Sequence, residues 1–474
     1  MTAGANQLQD YARRIEELAV RLGLDFYPVD FELVPDNFMT EIAVYGLPVR
    51  MPHWSFGIRY IHQLIQQGMG HSRIFEVMFP GDPCHAYLVN GNSLPENTLV
   101  VAHVLGHADF AKNNHLFRKF MEMAGGHILE QAAARAHAIE MALERHGQEK
   151  VEAVLDAALA LEPHIDVQSE LHRSASAAMP RRSEPTAPGI AALVAASSGD
   201  DFRRRYHQLP GETMQLALEP MTPRSPSSAT PLEEYDLLWF IAKHAPDMAG
   251  WERDIFLAVR EESFYFYPVF ACQIMNEGWA SYWHARLLRE ADFLPQDLYL
   301  SAIKAHSDVV RPYAAERQLA LSINPYHLGF SMWEYIIEKQ GLEAARRICR
   351  EEDDFGFIRN YLDAELARKL DLFVYATHTE GDIRVASRDI HAIREAILAP
   401  KFNYGAPRIA VTGIEQDGSL ELTHDHRSDG SGLDMARADR VLEYIARVWR
   451  RPVNLHTVDE RGYARDISSK RKYM

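Results

Sequence analysis

Two hydrophobic periodicities divide this chain and restrict the folds that it can adopt. From residue 95 to about 160, and again from 231 to about 370, apolar residues recur at the three- and four-residue spacing of helices. Near residue 372 the spacing changes to the alternation of strands, in segments such as RIAVTGIEQ and SLELTHDH. The pattern predicts a mostly α protein, with a large helical body followed by a small C-terminal α/β domain.

Short strands are also predicted within the helical body. LDFYPVDFELV, residues 24–34, alternates in the manner of a strand, and IFEVMF and HAYLV flank the turn-like PGDPC as a strand pair. The helix that contains WERDIFLAVREESFYFY is expected to end near Pro268, because proline has no backbone N–H to donate to a continuing helix. The predicted body is therefore helical with a few short strands.

Residues 170–230 differ in composition from the rest of the chain. The stretches HRSASAAMPRRSEPTAP and EPMTPRSPSSATP are rich in Ser, Pro, Thr and Arg, and they offer little apolar area to bury. We interpret this region as a mobile linker or excursion. The interpretation gives four segments: an N-terminal helical region (1–169), the linker, a second helical region (231–379) and the C-terminal α/β domain (380–474).

The charge balance argues against two classes of partner. The formal net charge is −16, and an acidic chain lacks the basic surface that binds nucleic acid or anionic membranes. No window approaches 18 consecutive apolar residues, the N-terminal segment has no signal-peptide core, and the three cysteines form no CxxC pair. We therefore expect a cytoplasmic protein with no nucleic-acid partner and no membrane partner.

A pair of histidines in AHVLGHADF is the first candidate metal site. His103 and His107 are four residues apart, so a helix places both imidazoles on one face. Zinc hydrolases with an H-E-x-x-H motif use the same spacing, but here Val104 occupies the place of the usual general-base glutamate. The neighbouring residues are apolar, and buried histidines need partners or a metal.

A second motif, IMNEGWASYWH, supplies a candidate third ligand. Asn-Glu-Gly-Trp-Ala-Ser-Tyr resembles the N-E-G-aromatic-A-S-Y helix of the gluzincin aminopeptidases, in which the glutamate is the third zinc ligand. That resemblance implies that Glu277 binds a metal together with His103 and His107. His284 lies two helical turns beyond Glu277, about 10.5 Å along the axis. It is predicted to be a long-reach fourth ligand, a ligand of a second metal, or an acid–base group facing the substrate.

Because the usual glutamate is missing at position 104, another group must transfer the proton in a hydrolase. Glu262 and His284 are the two candidates for this catalytic role. Glu262 lies on the helix before Pro268, and a turn of the chain at that proline would return its carboxylate to the site.

The chain as a whole resembles the SpoVR family, the stage V sporulation protein R-like proteins. The resemblance implies a cytoplasmic protein connected with sporulation and spore cortex formation or stress physiology, often found beside a serine protein kinase and a von Willebrand-type domain protein. The matching motifs are MPHWSFG (51–57), AHVLGHADFAKNN (102–114), REESFYF (260–266), IMNEGWASYWH (274–284), INPYHLGF (323–330) and DDFGFIRNYLDAELARKLDLFVY (353–375).

Two functions follow from these features. The first is a zincin-like, metal-dependent hydrolase, with a divalent metal, zinc by the donor set, between the helices that carry the two motifs. The second is a non-catalytic regulatory or scaffold protein that is stabilised by the metal and acts with the serine protein kinase. An open coordination position would separate them, because structural zinc is closed by four protein ligands.

Overall fold

The structure is a computed structural model of the 474-residue chain. It describes residues 3–45, 76–123, 128–169, 233–310, 324–377 and 383–469, and in addition residues 53, 55, 59 and 60. The predicted linker, 170–230, and most of the MPHWSFG motif lie outside these residues.

Helices dominate the described residues, which confirms the mostly α prediction. Seventeen α-helices are described: α1 Ala3–Arg21, α2 Asp36–Tyr45, α3 Leu94–Asn113, α4 His115–Met123, α5 Ile128–His146, α6 Gln148–Ala160, α7 Leu237–His244, α8 Gly250–Ala271, α9 Gln273–Glu290, α10 Gln296–Val309, α11 Pro325–Gln340, α12 Leu342–Glu351, α13 Asp354–Tyr361, α14 Ala364–Lys369, α15 Ile390–Leu398, α16 His426–Asp429 and α17 Met435–Trp449.

Nine strands form three small sheets in the described part of the chain. The predicted strand pair is present, since β2 and β3 are antiparallel neighbours. The strands are β1 Val29–Val34, β2 Glu76–Phe79, β3 Cys84–Val89, β4 Val374–Thr377, β5 Ile383–Ser387, β6 Ile409–Ile414, β7 Leu420–His424, β8 Val453–Val458 and β9 Ala464–Ser468. Their orders are β1-β3-β2, β4-β5 and β6-β7-β8-β9.

The described residues divide into two compact units, and each draws on distant parts of the sequence. The first unit takes in residues 1–138 and 265–405, and the second takes in 139–264 and 406–474. The sequence predicts four consecutive segments that fold independently of one another. That division stays a prediction.

The first unit is built around α9. This helix packs along α3 on one side and α11 on another, and α1, α10 and α13 add further contacts. Trp279, Trp283 and Trp333 are fully buried within this core. Helix α9 thus brings its NEGWASYWH motif into the core of the first unit. Polar side chains there are largely shielded from water and need partners within the protein.

The second unit contains the predicted C-terminal sheet. Strands β6 and β7 form an antiparallel pair, β7 and β8 are parallel, and β8 and β9 are antiparallel. Helix α17 has a strongly apolar face that packs against β8 and against α6. The predicted small α/β arrangement is confirmed at this level.

Candidate metal centre

Helix α3 holds the two histidines of the first motif. Ser93 caps its first turn: the hydroxyl accepts a bond from the Glu96 amide, and the Glu96 carboxylate accepts a bond from the Ser93 amide. This capping box fixes where the helix starts. The four-residue spacing of His103 and His107 places both on one face of it. The rings of His103 and His107 meet edge to face, with their centroids 4.5 Å apart and an interplanar angle of 85°.

Helix α9 is anchored at its N-terminus by a carboxylate from another helix. Both oxygens of Asp354 accept backbone bonds of 2.9 Å, one from Ile274 and one from Met275. The Lys401 ammonium lies 2.9 Å from Asp354 Oδ2. Burial raises the pKa of Asp354 to about 6, against the opposing effect of Lys401. The start of α9 is thereby held in place by groups outside the helix.

Small residues let the neighbouring helices approach closely. A Cβ on Gly106 of α3 would lie 2.7 Å from the Ala280 Cα of α9, and one on Gly278 would lie 2.2 Å from the Gly329 backbone of α11. Side chains larger than hydrogen do not fit at these two positions. The close contact of α3 and α9 places their polar side chains within reach of one another.

The structure brings His103, His107 and Glu277 together. Glu277 Oε2 lies 3.7 Å from His103 Nε2 and 3.5 Å from His107 Nε2. One ligand atom from each of the three residues lies within 4.8 Å of the others. Glu277, 170 positions after His107 in the sequence, thus lies close to both histidines.

The donor set and its surroundings fit a divalent cation. Glu277 Oε2 is buried and has no hydrogen-bond partner among the described residues, although the whole side chain is 20% exposed. An unbonded, buried carboxylate oxygen is costly unless a cation compensates it. Two imidazole nitrogens and one carboxylate oxygen are the donors of many catalytic zinc sites, which leaves one position for water or substrate.

The asparagine before Glu277 orients one of the histidines. His107 Nδ1 lies 2.9 Å from Asn276 Oδ1, and an amide oxygen can only accept, so Nδ1 carries the proton. His107 Nε2 therefore presents a lone pair toward Glu277. Burial, followed by the neighbouring His103, lowers the pKa of His107, which keeps the ring neutral. This bond gives a reason for the Asn-Glu pair in the motif.

Asp109 ties α3 to α9 through a hydrogen bond to a tryptophan of α9. Its Oδ2 accepts a 2.8 Å bond from the Trp279 indole N–H, and its Oδ1 accepts a 2.7 Å bond from the Asp25 amide. Burial raises the pKa of Asp109 to about 6. Asp109 thus acts on the geometry of the site by fixing the two helices.

Glu76 is a site residue that the sequence reasoning missed. It lies at the start of β2, with Oε1 3.9 Å from His103 Nε2. Burial raises the pKa of Glu76 to about 7, while the charge of His107 opposes the rise. The sequence signal was a glutamate in the otherwise apolar run IFEVMF.

Tyr326, from the INPYHLGF motif, forms another side of the cluster. Its ring is stacked near His103, with a centroid distance of 6.2 Å. The negative charge of Glu277, and then burial, raise the pKa of Tyr326 well above its usual value, so the phenol stays protonated. The site therefore contains a neutral hydroxyl donor near its carboxylates.

The two residues predicted to be catalytic, His284 and Glu262, lie on α9 and α8. His284 is fully buried, and its Nδ1 lies 2.8 Å from His103 Nδ1, the ring nitrogen that faces away from Glu277. Glu262 lies on α8 in the second unit. The expected end of this helix near Pro268 is wrong, because α8 continues through Pro268 to Ala271. The roles predicted for His284 and Glu262 stay predictions.

Comparisons with known proteins identify the family of this chain. The family model described as SpoVR like protein matches residues 3–405, and the model described as SpoVR-like C-terminal domain matches residues 407–460. The chain belongs to the SpoVR family. The HVLGH and NEGWASYWH motifs both fall within the first match, and the second match begins at the C-terminal sheet of the second unit.

A relative from Escherichia coli (strain K12), described as Uncharacterized protein YcgB, is similar over nearly the full length. The two sequences are 27% identical over 508 aligned residues, which cover 96% of this chain and 92% of the relative. No solved structure matches the chain. Among the described residues, no helix has the length and apolar character needed to cross a membrane.

Proposed function

We propose that this SpoVR-family protein binds a divalent metal ion, zinc by its donor set, through His103, His107 and Glu277. The observation that carries the proposal is the convergence of these three side chains around a buried carboxylate oxygen without a hydrogen bond. Asn276 supports it, because it holds His107 in the tautomer whose Nε2 is free to bind.

We further propose a metal-dependent hydrolase with a zincin-like site. A zinc ion at this position would supply Lewis-acid chemistry toward a carbonyl or phosphoryl oxygen. The spacing of His103 and His107, and the NEG motif around Glu277, are the features shared with gluzincins. The three protein donors leave room for water or substrate, which favours catalysis over a purely structural metal.

Glu76 is the residue that we assign to proton transfer. Its Oε1 lies 3.9 Å from His103 Nε2, at the edge of the cluster that would hold the metal, so this carboxylate is placed to accept a proton during hydrolysis. The neutral hydroxyl of Tyr326 can donate to an oxygen on which negative charge develops. Glu76 thus fills the role that Val104 cannot fill on α3.

Metal analysis of the purified full chain tests the metal site. The wild type is expected to bind one zinc per chain after reconstitution, and His107→Ala and Glu277→Gln are expected to lose it. His115→Ala and Glu122→Gln on α4 are matched controls that should retain it. A wild type with no stoichiometric metal would overturn the proposal.

Turnover separates the hydrolase from the regulatory or scaffold alternative. With zinc bound, Glu76→Gln should keep its metal and lose about 10²–10⁴-fold of any hydrolysis of chromogenic ester, peptide or phosphoester substrates. Full zinc loading without turnover on any of these would favour a structural metal. In that case the serine protein kinase and the von Willebrand-type domain protein, both proposed partners, become the first proteins to test for binding.

A further inference from the structure

A row of three buried or half-buried histidines runs from the cluster into the first unit. His103 Nδ1 lies 2.8 Å from His284 Nδ1, and His284 Nε2 lies 2.5 Å from His306 Nδ1 on α10. His284 is fully enclosed and His306 is half-buried. The two contacts use both nitrogens of His284, so this ring is held at both ends.

When all three rings are neutral, the chemistry of imidazole allows only two arrangements of protons along this row. A hydrogen bond between two ring nitrogens needs one N–H and one lone pair, and a neutral imidazole carries one N–H. In one arrangement His103 Nδ1 donates to His284 Nδ1, and His284 Nε2 donates to His306 Nδ1. In the other, every proton lies on the opposite nitrogen of its ring.

The two arrangements have opposite consequences for the cluster. The first leaves His103 Nε2 with a lone pair, which a metal ion requires. The second puts a proton on that nitrogen, where the nearest carboxylate oxygens of Glu277 and Glu76 are 3.7 and 3.9 Å away, beyond hydrogen-bonding distance. The first arrangement is therefore the one compatible with metal binding.

We infer that His284 and His306 are positioning residues, which hold His103 in the tautomer whose Nε2 is free to bind the metal. The inference rests on the proposed metal site and adds two residues to it. It gives His284 a role different from the ligand and acid–base roles predicted from the sequence. It also parallels the bond between Asn276 and His107, so each metal-site histidine has its own acceptor at Nδ1.

The inference predicts which substitutions of His306 are tolerated. Asn places an amide oxygen near the position of the histidine Nδ1 and can accept from His284 Nε2. Phe has a similar size and no acceptor atom. In that variant the N–H at His284 Nε2 has no hydrogen-bond acceptor at position 306, so the proton is no longer held on Nε2. His327, half-buried with Nδ1 3.1 Å from the Val310 carbonyl oxygen, is a matched control outside the row.

The test is zinc affinity of the full chain by competition with a chromophoric chelator. His306→Phe should bind zinc about 10–100-fold more weakly than the wild type, the usual range for loss of an outer hydrogen bond at a metal site. His306→Asn and His327→Phe should stay within about threefold of the wild type. Circular dichroism and thermal melting of each zinc-free variant check that it is folded.

A spectroscopic measurement reports on the row directly. In the zinc-loaded wild type labelled with ¹⁵N-histidine, long-range ¹H–¹⁵N spectra should show His284 with its proton on Nε2 and a bare Nδ1. His284 protonated on Nδ1, or wild-type affinity in His306→Phe, would overturn this inference while leaving the metal site intact. A wild type that binds no zinc would overturn the metal site and this inference together.

Discussion

Gly278 of α9 and Gly329 of α11 meet backbone to backbone, and a Cβ on Gly329 would lie 2.0 Å from the Ile274 carbonyl oxygen. This contact sets the depth at which α9, and therefore Glu277, lies in the first unit. The geometry of the proposed metal site thus depends on two residues that carry no functional group.

Gly278→Ala is expected to destabilise the protein by about 1–3 kcal/mol or more, because the added methyl group overlaps backbone that cannot move away cheaply. Urea unfolding of the zinc-free chain measures this change. Gly413→Ala on β6 is the control, since a Cβ there meets nothing within 4 Å. Equal destabilisation of the two variants would show that the helix contact is looser than described.

Asn276→Ala is expected to lower zinc affinity about 10–100-fold, because His107 loses the acceptor that fixes its tautomer. Asn276→Asp keeps an acceptor oxygen at the same place. It should bind zinc at least tenfold more tightly than the alanine variant. Competition titration with a chelator compares the two. Identical affinities would mean that the orientation of His107 is set by packing alone.

Asp354→Ala is expected to cost about 3–5 kcal/mol of stability, because it leaves Lys401 buried without its partner and frees two amides of α9. The exposed pair of Arg359 and Glu395, 2.9 Å apart, supplies the control. Glu395→Ala should cost no more than about 1 kcal/mol. Chemical unfolding that ranks the two variants in the reverse order would contradict this account of the α9 anchor.

His164 in the second unit predicts a pH dependence of stability. Burial lowers its pKa from 6.5 to about 4, so the folded state keeps the ring neutral while the unfolded chain takes up a proton first. Above pH 6.5 the ring is neutral in both states, and its full contribution to the free energy of unfolding is present. It decreases by about 1.4 kcal/mol for each pH unit between 6.5 and 4.

Comparison with a variant isolates this effect from other titrating groups. His164→Asn cannot take up the proton, so its unfolding free energy should fall less steeply than that of the wild type over the same pH range. Denaturant unfolding at several pH values gives both slopes. Parallel slopes would show that His164 titrates alike in the folded and unfolded states.

The sequence predicted the parts of this protein that depend on local spacing. The helical histidine pair, the strands that flank PGDPC and the alternation near Leu420 all follow from periods of 3.6 or 2, which neighbouring residues set. The convergence of Glu277 with His103 was predicted from a motif resemblance. Spacing alone could not have shown it, because Glu277 lies 174 positions after His103 in the sequence.

Residues that reach the site through tertiary packing were not predictable in the same way. Glu76 and His306 lie on different elements from the ligands, and no short motif connects either residue to His103. Helix α8 likewise continues past Pro268, although the local rule predicted its end there. Tertiary contacts along the helix can offset the hydrogen bond that one proline removes.

Anomalous diffraction at the zinc edge, from crystals of the full chain grown with zinc, would locate bound zinc among the side chains. We expect a single strong peak within coordination distance of His103 Nε2, His107 Nε2 and a Glu277 carboxylate oxygen, and no such peak in Glu277→Gln crystals. A wild-type map with no peak among these three residues, or with zinc bound only elsewhere, would contradict the proposed metal site.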